Sequence, residues 1–229
     1  MNASELFILP ESLKTFEKFF DENASVWTWI PKIKEALDSL DLSTFESKKD
    51  IPALVSVGKN VFIHPTVKLP PFAVICDNVW IGANTQIRPS AYIREYSIIG
   101  ENCTIGNSCE IKNSLILNNA EVPHFNYVGD SILGNYAHMG AGAICANLKL
   151  DKTTVFASTP NGRVNTNLRK LGAILGDKAQ CGCNAVLQPG TILGKGSVVL
   201  STLAFSGFLA NDTFYIEKPE NPRKIKLKC

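Results

Sequence analysis

No stretch of this 229-residue chain approaches the roughly 20 consecutive apolar residues of a membrane-spanning helix. The opening stretch, MNASELFILPESLKTF, lacks a basic start followed by an apolar core, so no signal peptide is expected. Neither sign of charge dominates. The net charge of +2 gives no case for nucleic acid or another polyanionic partner. Histidine is scarce: His64, His124 and His138 are the only three. Their spacing matches no zinc-ligand pattern, and no metal site is expected. The seven cysteines are an odd number without a C-x-x-C pair, since Cys181-x-Cys183 has the wrong spacing. Cys103, Cys109 and Cys181 fall at repeat positions where a small buried residue is wanted. A reducing compartment, the cytoplasm, is the expectation.

What the chain does have is a six-residue repeat. Ile51, Val57, Ile63, Leu69, Ile75, Ile81, Ile87, Ile93, Ile99, Ile105, Ile111 and Leu117 stand six apart. Neither a helix of period 3.6 nor a strand of period 2 writes that pattern. A hexapeptide period is the signature of a parallel β-helix, an all-β solenoid. Four residues after each aliphatic comes a smaller one, as at Val67, Ala73, Thr85, Ala91, Ser97 and Cys103. The large residue is expected to fill a narrow prism and the smaller one to sit where the chain turns. The pattern resumes at Leu175, Cys181, Leu187, Leu193, Val199 and Phe205.

Residues 1–50 stand outside the repeat. Glu11–Phe20 and Ile30–Leu40 read as short helices, with Trp27, Ile30, Ile33, Leu37 and Leu40 on one face. Solenoid ends expose apolar interior, so these residues are expected to cap one end. The solenoid is expected over 51–210, with a polar loop at 146–172 that carries a Pro160-Asn161-Gly162 turn signal. A loop of that length in a compact fold is usually functional. Residues 211–229 read as a basic tail.

With three hexads to a coil, residues 18 apart stack about 4.8 Å from one another. Arg94 and Lys112 are so related, and together they suit an anion such as phosphate. Glu110 projects on the same side as Lys112. The hexad fails at Pro123, and His124 follows it. A histidine at the interruption is the first candidate for a general base.

The segment EIKNSLILNNAEVPHFNYVGDSILGNYAHMGAGAICANL resembles the acetyltransferase domain of the bifunctional N-acetylglucosamine-1-phosphate uridyltransferase/glucosamine-1-phosphate acetyltransferase family. RKLGAILGDKAQCGCNAVLQPGTILGKGSVV continues the likeness, which covers roughly residues 75–205. The resemblance implies a left-handed parallel β-helix, a homotrimer, and acetyl transfer from acetyl-CoA to the amine of an amino-sugar 1-phosphate. It makes His124 the base, assisted by Glu110. Arg94, Lys112 and Tyr127 hold the sugar phosphate. Arg88, in IRPSA, looks like the family's Arg-Pro-Gly-Ala, but the 18-residue coil favours Arg94. Asn147 matches an asparagine near the acceptor and Lys170 a lysine near the site. Cys183 and Ser201 match positions along the acetyl-CoA groove, and Lys218 a basic residue near its phosphates. His138 stands where the family has an asparagine that helps hold the acceptor. Residues 1–50 are too short for a nucleotidyltransferase domain and lack its Gly-rich signature, so uridylyl transfer is not expected of them.

Two rivals share the repeat. One is a non-catalytic trimeric scaffold, which has no need of His124, Glu110, Lys112 and Arg94 together. The other keeps acetyl-CoA but takes a different acceptor, such as galactosamine-1-phosphate or a nucleotide-linked amino sugar.

Overall fold

The computed structural model describes residues 1–216, and they form a left-handed parallel β-helix of about nine turns with a helical segment at its N-terminus. The chain visits three parallel sheets in rotation. Sheet I has eight strands, from Ser56–Val57 to Ala204–Phe205. Sheet II has eight, from Val61–Ile63 to Phe208–Leu209. Sheet III has seven, from Gln86–Ile87 to Phe214–Tyr215. The coil therefore runs beyond residue 210, since Phe214 pairs with Val198. One aliphatic per strand fills the prism, as Ile75, Ile81, Ile87, Ile93 and Ile99 do at 1 % exposure or less. The smaller residues that follow are also interior, and just before them the chain turns through a left-handed residue. Asn60, Asn78, Asn84, Asn102, Asn119 and Asn184 hold φ between +51° and +61°. Asparagine tolerates that conformation better than other residues with a Cβ.

The repeat breaks earlier than Pro123. In sheet II the residue stacked on Ile99 is Ile116, not Leu117. Leu133 then stacks on Ile116. The inward step is thus five residues from Ile111 to Ile116 and again from Val128 to Leu133. Each time the missing residue is lost from the corner that joins sheet I to sheet II. Val122 is the inward residue of the next rung, so His124 lies on an intact rung. Leu117 points outward and is buried by the N-terminal segment.

That segment is not an end cap. The expected helices are there, a 3-10 helix at Glu11–Phe19 and helix α1 at Trp29–Asp38. They lie along the outer face of sheet II. Every third hexad carries a second large apolar residue, outward-facing: Phe62, Trp80, Ile98, Leu115, Ile132, Ile174 and Ile192. This column packs against Leu6, Phe7, Leu13, Phe16, Ile30, Ile33 and Leu37. Trp80 is edge-on to Phe16 at 5.2 Å and to Phe45 at 5.1 Å. The segment runs from the late coils, where the Asp177 N–H donates to the Leu6 carbonyl at 2.9 Å, to the first coils, where the Leu42 N–H donates to Asn60 Oδ1 at 2.9 Å.

Within 146–172 an antiparallel hairpin pairs Phe156–Thr159 with Gly162–Asn165 around the expected turn. Among the described residues no helix is long and apolar enough to cross a membrane.

Candidate functional site

The outer surface of sheet I is bordered by two edges, and the candidate residues divide between them. The sheet I to sheet II corner carries the cations. Ile93 is in register with Ile111, which sets Arg94 beside Lys112 as the 18-residue coil requires. The two cations do not form an uncompensated pair. Arg94 Nη1 donates to Glu110 Oε1 at 2.7 Å, while Lys112 Nζ lies 3.5 Å from Asp130 Oδ2. Two neutralised pairs avoid the repulsion of stacked like charges and hold both side chains facing the outer surface. Among the described residues, the buried Arg94 Nε has no hydrogen-bond partner.

Asp130 is the hub of this corner, and the sequence reading passed over it. It is 4 % exposed and has φ +48°. Besides Lys112 it accepts from Asn113 Nδ2 at 2.8 Å and from Asn147 Nδ2. Asn147 also donates to Tyr127 Oη at 3.1 Å. Burial, aided by the negative charges of Asp130 and Glu110, raises the Tyr127 hydroxyl above its ordinary pKa. The hydroxyl therefore stays a neutral donor. The missing corner residues explain the crowding, because each shortened corner brings its polar side chain directly over the one below. The 18-residue rule does not point to it, because the shortened corner sets Gly129, not Asp130, in register with Lys112. Lys170 is exposed, but its backbone bridges to Leu148 and the adjacent Leu171 N–H donates to the Asn147 carbonyl at 3.0 Å. The loop thus returns beside this corner.

The sheet III to sheet I edge carries the remaining candidates in a single backbone ladder. The His124 carbonyl accepts from the Gly142 N–H at 2.9 Å, the Ala141 carbonyl from Asn184 at 2.8 Å, and the Cys183 carbonyl from Thr202 at 2.8 Å. His124, Ala141, Cys183 and Ser201 consequently succeed one another along one line. The line is thinly clothed. A Cβ on Gly140 would come within 2.5 Å of the Cys183 backbone nitrogen, so only glycine fits there. Asn126 is buried and fixes the His124 turn. It accepts the His124 N–H at 3.0 Å and donates to the carbonyls of Gly140 at 2.7 Å and Ala143 at 3.1 Å.

The histidines differ. His64 bonds Thr66 on an early coil at 2.9 Å. His124 is exposed, and its ring has no bond to Glu110, which is committed to Arg94. The carboxylate-bound imidazole is His138, whose Nδ1 lies 2.8 Å from Glu121 Oε2 on the outer face of sheet III. Cys103 and Cys145 are interior thiols pushed up to about 12 by burial, which makes them poor nucleophiles. Cys183 is exposed. Lys218 lies outside the described residues.

A family model for the GMPPB C-terminal domain matches residues 83–193. The bifunctional protein GlmU of Methanococcus vannielii is 34 % identical over 159 residues, which are 69 % of this chain and 32 % of that protein. The bifunctional sugar-1-phosphate nucleotidylyltransferase/acetyltransferase of Sulfurisphaera tokodaii is 32 % identical over 221 residues, 84 % of this chain and 49 % of that one. Among solved structures, the UDP-N-acetylglucosamine acyltransferase of Francisella novicida superposes with a TM-score of 0.44 at 16 % identity, covering 71 % of this chain and 67 % of that one. Fold and repeat define a hexapeptide-repeat β-helix protein. Within that class the chain is similar to the bifunctional GlmU proteins. It spans about a third of the length of the methanococcal relatives and about half of the Sulfurisphaera one.

Proposed function

We propose that the chain transfers an acetyl group from acetyl-CoA to the amine of an amino-sugar 1-phosphate, glucosamine-1-phosphate first. The observation that carries this reading is the placement of His124 on the same thinly clothed edge as Cys183 and Ser201, across sheet I from Arg94 and Lys112. The strands between the edges are two or three residues long, roughly 7–10 Å at 3.3 Å per residue. A hexosamine phosphate spans that width. Its phosphate meets Arg94, Lys112 and Tyr127, its ring Asn147 and Lys170, and its amine reaches the His124 edge. Acetyl-CoA lies along the edge past Cys183 and Ser201.

The chemistry balances without a covalent enzyme intermediate. The bound ammonium first loses one proton to solvent; the neutral amine then attacks the thioester carbonyl while the His124 imidazole takes a second proton from its nitrogen. The carbonyl oxygen takes the negative charge and is met by backbone N–H groups of the edge, such as that of Cys183 over Gly140. When the C–S bond breaks, the imidazolium proton goes to the thiolate and releases CoA as its thiol. Glu110 contributes through Arg94, whose side chain it orients. His138 and Glu121 present a polar pair on sheet III that a neighbouring copy in a homotrimer can use.

The test is thiol release from acetyl-CoA against a panel of amino sugars and their 1-phosphates. Activity confined to the 1-phosphates is expected. No turnover with any amino sugar favours the scaffold, and turnover of a nucleotide-linked sugar alone replaces the acceptor. Sedimentation at micromolar concentration tests the trimer, and a clean monomer overturns it.

A further inference from the structure

The hairpin that interrupts the coil builds a second cleft. It lies between the inner side of the Phe156–Thr159 strand and the sheet I to sheet II corners of the last coils, near Gln188–Gly190 and Ser206–Gly207, and encloses about 420 Å³. The hairpin docks tightly, because a Cβ on Gly190 would run into the Phe156 carbonyl; at φ +80° that corner is left bare.

The groups facing the cleft are of one kind. Arg163 holds its guanidinium over the Phe156 ring, 5.3 Å from the centroid, and forms no ion pair among the described residues. Lys149 adds a second cation, tethered to Asp151 at 3.1 Å and Thr153 at 2.6 Å. Ser158, Ser206 and Gln188 add donors, and among the described residues no carboxylate lines the space. An aromatic face, an unpaired guanidinium and hydroxyl donors without acid suit a phosphorylated nucleoside: the ring offers stacking and the guanidinium a bidentate grip on phosphate.

Position narrows the ligand. Gln188 closes the strand that follows Cys183, and Ser206 closes the strand that follows Ser201. Between edge and cleft the outer surface of sheet I carries only Val186 and Ala204, which are small. A chain leaving the Cys183 edge crosses one short strand, roughly 7–10 Å, to enter the cleft. We infer that this cleft holds the phosphorylated adenosine of the acyl-CoA donor, with Arg163 on its phosphate and Phe156 against its base. The inference rests on the acetyl-CoA reading above.

Binding separates the two. Calorimetry with CoA and with adenosine 3′,5′-bisphosphate is run on the full chain and on Arg163→Ala, Arg163→Lys and Phe156→Ala, with melting curves to confirm that each variant folds. Arg163→Ala is expected to weaken both ligands about tenfold or more, the usual worth of a charged hydrogen bond, and Arg163→Lys less. In turnover, the KM for acetyl-CoA rises in Arg163→Ala while that for acetyl-pantetheine, which lacks the nucleotide, does not. Weakened binding of the bisphosphate in a protein that turns over no amino sugar sustains the cleft and overturns the acetyl-transfer reading. Equal affinities in wild type and Arg163→Ala, an equal effect on both donors, or no binding of the bisphosphate to the wild type overturns the cleft.

Discussion

Asp130 holds Lys112 from beneath, 3.5 Å from its ammonium, with a carboxylate that is itself almost wholly out of water. A buried carboxylate is tolerable only because Lys112, Asn113 and Asn147 all point at it. Asp130→Ala strands those three partners and is expected to cost about 2–4 kcal/mol, read from urea unfolding. Asp130→Asn keeps the shape, unfolds less readily than the alanine variant, and raises the KM for a sugar 1-phosphate about tenfold through a misplaced Lys112. An unchanged KM in a folded Asp130→Asn protein would show that Lys112 does not hold the phosphate.

His124→Ala is expected to reduce kcat/KM at least about 100-fold, the usual worth of a general base, with little change in melting temperature because the ring is exposed. His124→Asn, close in size, should be as inactive. Wild-type activity in either variant removes the proposed mechanism.

Burial of the thiols of Cys103, Cys109, Cys145 and Cys181 gives the fold an alkaline weakness. Cys103 and Cys145 titrate near 12 in the folded chain against about 9 when unfolded. Below pH 9 both states carry the protons and the thiols do not affect the balance. Between about 9 and 12 only the unfolded chain loses them, so stability falls by about 1.4 kcal/mol per pH unit for each thiol. Urea midpoints at pH 9, 10 and 11 should show this slope, and a Cys103→Ala/Cys145→Ala protein should show a flatter one. Parallel slopes would contradict it.

Trp80 joins the N-terminal segment to the coil. Trp80→Ala removes a ring packed on Phe16, Phe45 and Phe62, and should cost about 3–5 kcal/mol in urea unfolding. A loss below about 1 kcal/mol would mean that the segment is only loosely held.

The hexads of isoleucine were legible because a large aliphatic recurring every six residues has no other use. The shortened corners were not, because Leu117 continues the count of six while Ile116 beside it is the residue that turns inward. Two adjacent aliphatics leave the choice of face to tertiary packing. The role of residues 1–50 was misplaced for a related reason. Phe62, Trp80 and Ile98 precede their interior neighbours at every third hexad, and that wider period marks one sheet as apolar on both sides. Among the candidates, the stacking of Arg94 on Lys112 followed from coil length alone. Their acidic partners did not, because Glu110 reaches Arg94 on a diagonal and Asp130 lies one coil later.

The N-terminal segment also sets an order of events during synthesis. A solenoid can form coil by coil as it leaves the ribosome, each turn needing only the one before. Residues 1–45 are made before the coils, yet Leu6 finds its partner only at Asp177, and the Ser4 carbonyl meets Lys195 at 3.5 Å. At roughly 5–20 residues per second, the apolar side chains around Leu6 wait on the order of ten to thirty seconds for those coils. The stretch around Leu6 is thus the last part of the segment to dock, after Leu42 and Phe45 have met the first coils.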